Sequence, residues 1–243
     1  MKRVLSTVLL LLLAVSSITA AKTKTEKTKK KAPPCAVSLA ECPPEGCGGK
    51  FDKKLNLQKN IRTSSNAPVD KGFTYLRGLP KIVKGYKLGG PRSKLAAKGE
   101  GTMIRVVAYA LVARKGSSET CNCHLTSPAE TDNHIVLVSP RLKHPSLAGE
   151  PNSQTAEFTP RVRLDHPNFT RNKLQPLIDA APNKALLVRV TGLQMYDSEH
   201  ALGPLKLKRH NDWEIHPVFG LQYCPTGKTC TAGSDANWQS IEQ

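Results

Sequence analysis

The second half of the chain contains five strand-like runs and one helical run in an order that few folds share. The strand-like runs, rich in β-branched residues, cover residues 102–114, 134–139, 156–164, 185–197 and 214–224. Residues 169–181 place Leu174, Leu177 and Ile178 at helical spacing after Thr170, a residue type that caps helices. Three strands, one helix and two strands is the chain order of an OB-fold, a five-stranded Greek-key barrel. We therefore predict a mainly β, OB-like barrel over residues 101–224.

The first run and two prolines add detail to this prediction. The run 102–114 is long enough for one strand to pair in both halves of a barrel, as the first strand of an OB-fold must. Pro160 predicts an edge or bulged position for the third strand. Pro176 predicts a kinked or shortened helix. The same order also fits a small open sheet with a helix on one face.

The N-terminus has the plan of a secretory signal peptide over residues 1–21. Lys2 and Arg3 precede an apolar stretch, and small residues follow it. The stretch is shorter than the roughly 20 residues that a membrane-spanning helix needs. Six lysines between residues 22 and 31 follow directly, where positive charge opposes translocation. We expect cleavage, a secreted or periplasmic protein, and no stable membrane anchor afterwards.

The positive charge is concentrated in the first half of the chain. The formal net charge is +17, and residues 51–120 hold 15 Lys/Arg against 4 Asp/Glu, whereas residues 121–243 hold 12 of each. We interpret residues 22–50 as a Lys/Thr/Pro/Cys-rich linker, residues 51–100 as a basic irregular extension, and residues 225–243 as a C-terminal tail. Clustered Lys and Arg favour an anionic polymer as partner, either a nucleic acid or a cell-wall polymer.

Seven cysteines in an exported chain predict disulfide bonds. Cys224 and Cys230 bracket a turn-rich loop that a local bridge would close. Cys121 and Cys123 are too close in sequence to pair with each other, so each should pair elsewhere or stay reduced. The alternative for the run CNCH is a metal site of thiolates and an imidazole. An odd count leaves one thiol free or intermolecular.

Several carboxylates and imidazoles lie two residues apart on the predicted strands, which sends them to the same face. These sets are Asp132 with His134, Glu157 with Thr159 and Arg161 at alternate positions, and Glu214 with His216; Asp197 and His200 lie in a loop after the fourth strand. If the sets converge, Glu214 and His216 are candidate catalytic residues, and Asp132, His134 and His200 are candidate ligands of a divalent metal. Otherwise they are buried pairs that fix the last strand.

Five stretches resemble a group of exported bacterial proteins. They are VRVVAYALVARKGSSETCNCH, TDNHIVLV, EFTPRVR, LLVRVTGLQMYDSEH and DWEIHPV, within roughly residues 100–224, and WEIHPV is the most distinctive. The resemblance implies export and a compact β-rich domain. It implies no reaction.

Three functions follow from these features. The first is an OB-like binding protein for an anionic polymer, with nucleic acid the leading candidate, in which Arg161 and Arg163 hold phosphate and Tyr109, Tyr196 and Trp213 stack on bases. The second is a metal-dependent hydrolase, in particular a nuclease, that uses the Asp/His/Glu set. The third is a structural surface protein without catalysis. The chain lacks a nucleophile elbow, a phosphate-binding P-loop and a His-Glu-x-x-His motif, which argues against those enzyme families.

Overall fold

The computed structural model describes residues 33–49, 51–201 and 208–243. The predicted signal peptide lies outside these residues. Three helices and one short strand precede the five barrel strands in the chain, and another short strand follows them. The elements in chain order are α1 (Lys53–Lys59), β1 (Val69–Lys71), α2 (Phe73–Gly78), α3 (Ser93–Ala96), β2 (Met103–Lys115), β3 (Asn133–Val138), β4 (Gln154–Phe158), α4 (Arg171–Ala180), β5 (Leu186–Tyr196), α5 (Ser198–Ala201), β6 (Trp213–Tyr223) and β7 (Gln239–Ser240).

Five of the strands close into a barrel in the order β2-β3-β4-β6-β5 and back to β2. All neighbours are antiparallel except β4 and β6, which run parallel. The strand β2 closes the barrel because its first half, Met103 to Ala110, pairs with β5 while its second half pairs with β3. A register shift between Ala110 and Val112 lets the strand bend at that point. The predicted OB-like barrel is therefore confirmed.

The helix α4 lies between the third and fourth barrel strands and packs its apolar side into the barrel core. Leu174 and Ile178 are fully buried there, and the Thr170 side chain accepts a hydrogen bond from the Lys173 amide, as a helix cap does. The third strand is shorter than predicted, since it ends at Phe158 and residues 162–164 form a 3-10 turn. Pro160 has no amide hydrogen to donate to a strand ladder.

The segment from residue 51 to 100 folds onto the barrel as short helices and one short strand. Its leucines Leu55, Leu76 and Leu95 are completely buried. Leu76 belongs to the barrel core, while Leu95 packs in a second cluster with Trp213 and Tyr196 of the barrel. The apolar residues between its lysines are thus the part that anchors this basic segment.

Three disulfide bonds join Cys35 to Cys47, Cys42 to Cys123, and Cys224 to Cys230. The predicted Cys224–Cys230 loop is confirmed, and Cys121 is a free, buried thiol. The thiolate site considered for residues 121–124 is wrong, because Cys123 is bonded to Cys42. Three bridges fit an oxidising compartment. Within the described ranges, no helix is long and apolar enough to span a membrane.

Candidate functional site

The polar groups singled out on the strands meet at one end of the barrel. His134 lies at the start of β3 and is paired directly across the sheet with Glu157 near the end of β4. Glu214 begins β6 beside Thr155 of β4. Since side chains alternate along a strand, His216 shares a face with Glu214. Strand pairing therefore brings residues that are far apart in the sequence to one place.

Glu157 is the centre of this arrangement. Its Oε1 lies 3.3 Å from His134 Nε2, and its Oε2 lies 3.1 Å from His216 Nδ1. His216 also donates from Nδ1 to Glu214 Oε2 at 3.4 Å. The side chains of Glu157, Glu214 and His216 are almost entirely buried, whereas that of His134 is 32% exposed. The two histidines thus converge on the two oxygens of one carboxylate.

Around this centre lies a chain of buried ion pairs. Glu119 Oε1 is 3.8 Å from His134 Nε2, and its Oε2 accepts a hydrogen bond of 2.8 Å from Lys59 Nζ. Lys59 Nζ is also 3.6 Å from Asp197 Oδ2, and Asp197 is paired with His200. Lys59 is only 3% exposed although it comes from α1 in the basic segment.

Arg209 completes the ion-pair chain on the other side. Its guanidinium pairs with Glu214 and donates to Asp212 Oδ1 at 3.1 Å. Arg209 is also largely buried. The carboxylates of Glu119, Asp197, Asp212 and Glu214 each contact a cationic side chain, whereas Asp132 accepts a hydrogen bond of 3.3 Å from Asn122 Nδ2.

The electrostatics of the cluster shift the pKa values strongly. Burial disfavours charged histidine, but the carboxylate of Glu157 raises the pKa of His216 to about 10 and that of His134 to about 9. Burial also disfavours a charged Glu157, yet the two histidines lower its pKa to about 2. Burial and then the charge of Glu119 raise the pKa of Asp132 to about 7. Without a bound cation, both histidines are charged at neutral pH.

A cleft of about 300 Å³ opens over this cluster. His134, Glu157, Glu214 and His200 lie in its lining, together with the basic residues Arg114, Lys208 and Arg209. Asp132 and His216 do not line the cleft, and both are buried. The same cluster thus has one part that a substrate can reach and one part enclosed by protein.

Two of the predicted stacking residues are in the interior. Trp213 is completely buried and donates from its indole nitrogen to the Pro80 carbonyl at 3.0 Å. Tyr196 is 2% exposed and donates to the Lys81 carbonyl at 3.1 Å. Neither ring has a free face for a base, so the prediction that they stack on nucleic acid is wrong. The physical reason is that the segment 51–100 covers them.

The other predicted binding residues also lie outside the cleft. Arg161 donates to the Cys42 carbonyl at 2.7 Å, and Arg163 donates to the Thr131 carbonyl at 2.7 Å. These guanidinium groups support loops and do not present a phosphate site. Tyr109 is half-buried and lines a separate cavity of about 230 Å³ beside the Cys224–Cys230 loop.

The predicted metal ligands Asp132 and His134 both join the cluster around Glu157, and so do the predicted catalytic residues Glu214 and His216. His200 lines the cleft but is bound to Asp197. Sequence reasoning missed Glu119, Lys59 and Arg209. The spacing of the sequence gives no signal for them, because all three reach the site from segments outside the barrel strands. The run ETC, residues 119–121, points to Glu119 as a site residue only when the structure shows that Cys121 and Asp132 are neighbours.

Apart from the disulfide-bonded cysteines Cys35, Cys47 and Cys123, three sets of side chains within the described ranges bring their ligand atoms within 4.8 Å of one another: Glu119 with His134 and Glu157, Asp132 with Glu157 and His216, and Glu119 with Cys121 and Asp132. Carboxylate and imidazole together suit divalent cations such as Zn²⁺ and Mn²⁺. Comparisons with protein-family models, with curated proteins and with solved structures found no match to this chain. What the site does is therefore argued from its side chains.

Proposed function

We propose that this protein is a hydrolase that cleaves phosphodiester bonds in the cleft with the help of a divalent cation. The observation that carries the proposal is the convergence of His134 and His216 on the two oxygens of Glu157 at the floor of the cleft. A metal-dependent hydrolase needs its ligands gathered in this way. Purely structural pairs would not need an open cleft above them.

The cation would be held by Glu119, His134 and Glu157. In a tetrahedral site with bonds of about 2.1 Å, two ligand atoms are about 3.4 Å apart. His134 Nε2 is 3.3 Å from Glu157 Oε1 and 3.8 Å from Glu119 Oε1, close to that spacing. Lys59 holds the second oxygen of Glu119 and so orients this carboxylate. Binding of a cation here would displace the proton from His134 Nε2.

The chemistry divides between the cation and the residues of the cleft. Hydrolysis forms a bond from a water oxygen to phosphorus, breaks one ester P–O bond and delivers a proton to the departing alcohol. The cation supplies Lewis acidity and makes bound water more acidic. Glu214 and His200 line the cleft. In this proposal Glu214 would accept the proton of the water, and His200 would give one to the leaving group. Arg114 and Lys208 attract the phosphate.

The test uses end-labelled single-stranded DNA and RNA incubated with purified protein in Mg²⁺, Mn²⁺ or Zn²⁺, run on denaturing gels. We expect shortened strands with at least one of the cations, and intact strands in a chelator. We expect the His134→Gln protein to leave the strands intact. The His144→Gln protein should cleave them at the wild-type rate, because His144 is an exposed loop histidine. Intact strands under all conditions would contradict the hydrolase. The Asp/His/Glu set would then have a structural role, in a surface protein without catalysis.

Binding of an anionic polymer without cleavage is a second candidate, and one observation favours it. The stretch from residue 81 to 98 contains no acidic residue. It carries the exposed lysines Lys81, Lys84, Lys87, Lys94 and Lys98. Such a surface attracts a polyanion such as nucleic acid through release of counterions. It would also serve the hydrolase by attracting its substrate.

This candidate predicts that affinity for a single-stranded oligonucleotide falls steeply with salt. Replacing Lys84, Lys87 and Lys94 by alanine should make the slope of log K against log salt shallower by about 2, since each phosphate contact on single strands contributes about 0.7. A matched triple variant at the exposed Lys143, Lys173 and Lys228 serves as the control. Equal slopes for the two variants, measured by fluorescence anisotropy, would show that residues 81–98 are not the binding surface.

A further inference from the structure

A second set of ligands shares Glu157 with the cleft, while its other two members lie outside the cleft lining and are not used by the proposed hydrolysis. It consists of Asp132, Glu157 and His216, which are 1%, 3% and 1% exposed. One ligand atom from each lies within 4.8 Å of the others. The set contains two carboxylates and one imidazole, the ligand types that bind Zn²⁺ or Mn²⁺.

Three atoms of this set have no hydrogen-bond partner among the described residues. They are Asp132 Oδ2, Glu157 Oε2 and His216 Nε2, all inaccessible to solvent. A buried polar atom without a partner is costly, so most such atoms in proteins are satisfied by protein, water or an ion. Here the three atoms belong to neighbouring side chains, and each is of a type that binds metals.

The surrounding groups are arranged as they are around a metal. His216 donates from Nδ1 to Glu214, which leaves Nε2 free. A histidine that binds a metal usually donates its other nitrogen to a carboxylate or carbonyl in this way. Asn122 donates to Oδ1 of Asp132 and leaves Oδ2 free. Neighbouring side chains therefore hold His216 through Nδ1 and Asp132 through Oδ1, and a cation would bind the other atom of each group.

We propose that Asp132, Glu157 and His216 bind a second divalent cation, of the Mn²⁺ or Zn²⁺ type, which Glu157 bridges to the cation in the cleft. Glu157 Oε1 lies 3.3 Å from His134 Nε2, and its Oε2 has no hydrogen-bond partner in the described part of the chain, so one oxygen is available to each set. A carboxylate used in this way is compatible with the separation of about 3.5–4 Å that is found in two-metal sites. The bridged pair rests on the proposed function for its cleft cation. The second site, which we call the deep position, has Asp132 and His216 as ligands of its own.

The test measures how many Mn²⁺ ions the full chain binds, by equilibrium dialysis with metal analysis, and records the electron paramagnetic resonance spectrum of the loaded protein. We expect two ions per chain and the spectrum of a spin-coupled pair. Asp132→Asn should bind one ion and give the spectrum of isolated Mn²⁺, and His134→Gln should also bind one. Asp179→Asn, at an exposed aspartate on α4, should bind two. Thermal unfolding shows which variants are folded.

The outcomes separate this proposal from the proposed function. A single ion that Asp132→Asn retains, with strands still cleaved, overturns the deep position and leaves the hydrolase intact. Two spin-coupled ions in a protein that cleaves no strand support the deep position and contradict the hydrolase. If Asp132→Asn does not fold, the spectrum of the wild-type protein decides alone, because uncoupled Mn²⁺ excludes a bridged pair. A buried water in place of the deep cation would give one ion only.

Discussion

Replacing Glu157 by glutamine should lower the rate of strand cleavage by at least about 100-fold, the size of loss that follows removal of one group that organises transition-state charge. The amide has the shape of the carboxylate but no charge, so it cannot hold the cation between Glu119 and His134. It also removes the common partner of His134 and His216. The measurement is the initial rate of cleavage of end-labelled strands at saturating cation.

The control for this prediction is Glu41→Gln, at an exposed glutamate of the N-terminal loop, which should cleave at the wild-type rate. Since Glu157→Gln leaves two charged histidines without their carboxylate, its thermal unfolding must be recorded beside its activity. If it does not fold, Glu157→Asp keeps the charge, moves the carboxylate by one methylene and should still be slow. A folded Glu157→Gln protein with the wild-type rate would remove Glu157 from the reaction.

The second large effect concerns Lys59, the cation that α1 places among the buried carboxylates. Lys59→Met should lower the free energy of unfolding by about 3–5 kcal/mol, the cost of removing one partner of a buried ion pair. Methionine keeps most of the side-chain volume, so the loss reports the missing charge. Glu119 would then have only His134 as a cationic neighbour, and Asp197 would keep His200 and Arg209. Chemical denaturation of the cation-free protein is the measurement.

A matched control lies on the same helix. Lys54 is exposed, and Lys54→Met should change the free energy of unfolding by no more than about 0.5 kcal/mol. If Lys59→Met were as stable as Lys54→Met, the buried ammonium would not be what ties the N-terminal segment to the barrel. The apolar contacts of Leu55, Leu76 and Leu95 would then carry that attachment alone.

The barrel could be predicted from the sequence because each of its strands carries its own local pattern. The run 102–114 was long enough to reveal a strand that pairs on both sides, and the structure places β2 at Met103–Lys115. Periodicity also located the helix and its cap at Thr170. These signals are local, so one sequence is sufficient to detect them.

The candidate site could be predicted only in part, because it depends on which strands become neighbours. Same-face spacing identifies Asp132, His134, Glu214 and His216 as candidate site residues, provided that their strands lie close together. It could not give the roles of Glu119 or Lys59, since burial of a lysine from a basic segment is decided by packing. The same packing buries Trp213, an aromatic residue whose type alone suits stacking on bases.

The measurement that tests the central claim most directly is anomalous diffraction from crystals soaked in Zn²⁺ or Mn²⁺. The account predicts a peak at the floor of the cleft, about 2.0–2.2 Å from His134 Nε2 and from a Glu157 oxygen, with Glu119 as a further ligand. It also predicts that this peak disappears in the His134→Gln protein. A well-ordered cleft without a peak at a cation concentration that supports strand cleavage would contradict it.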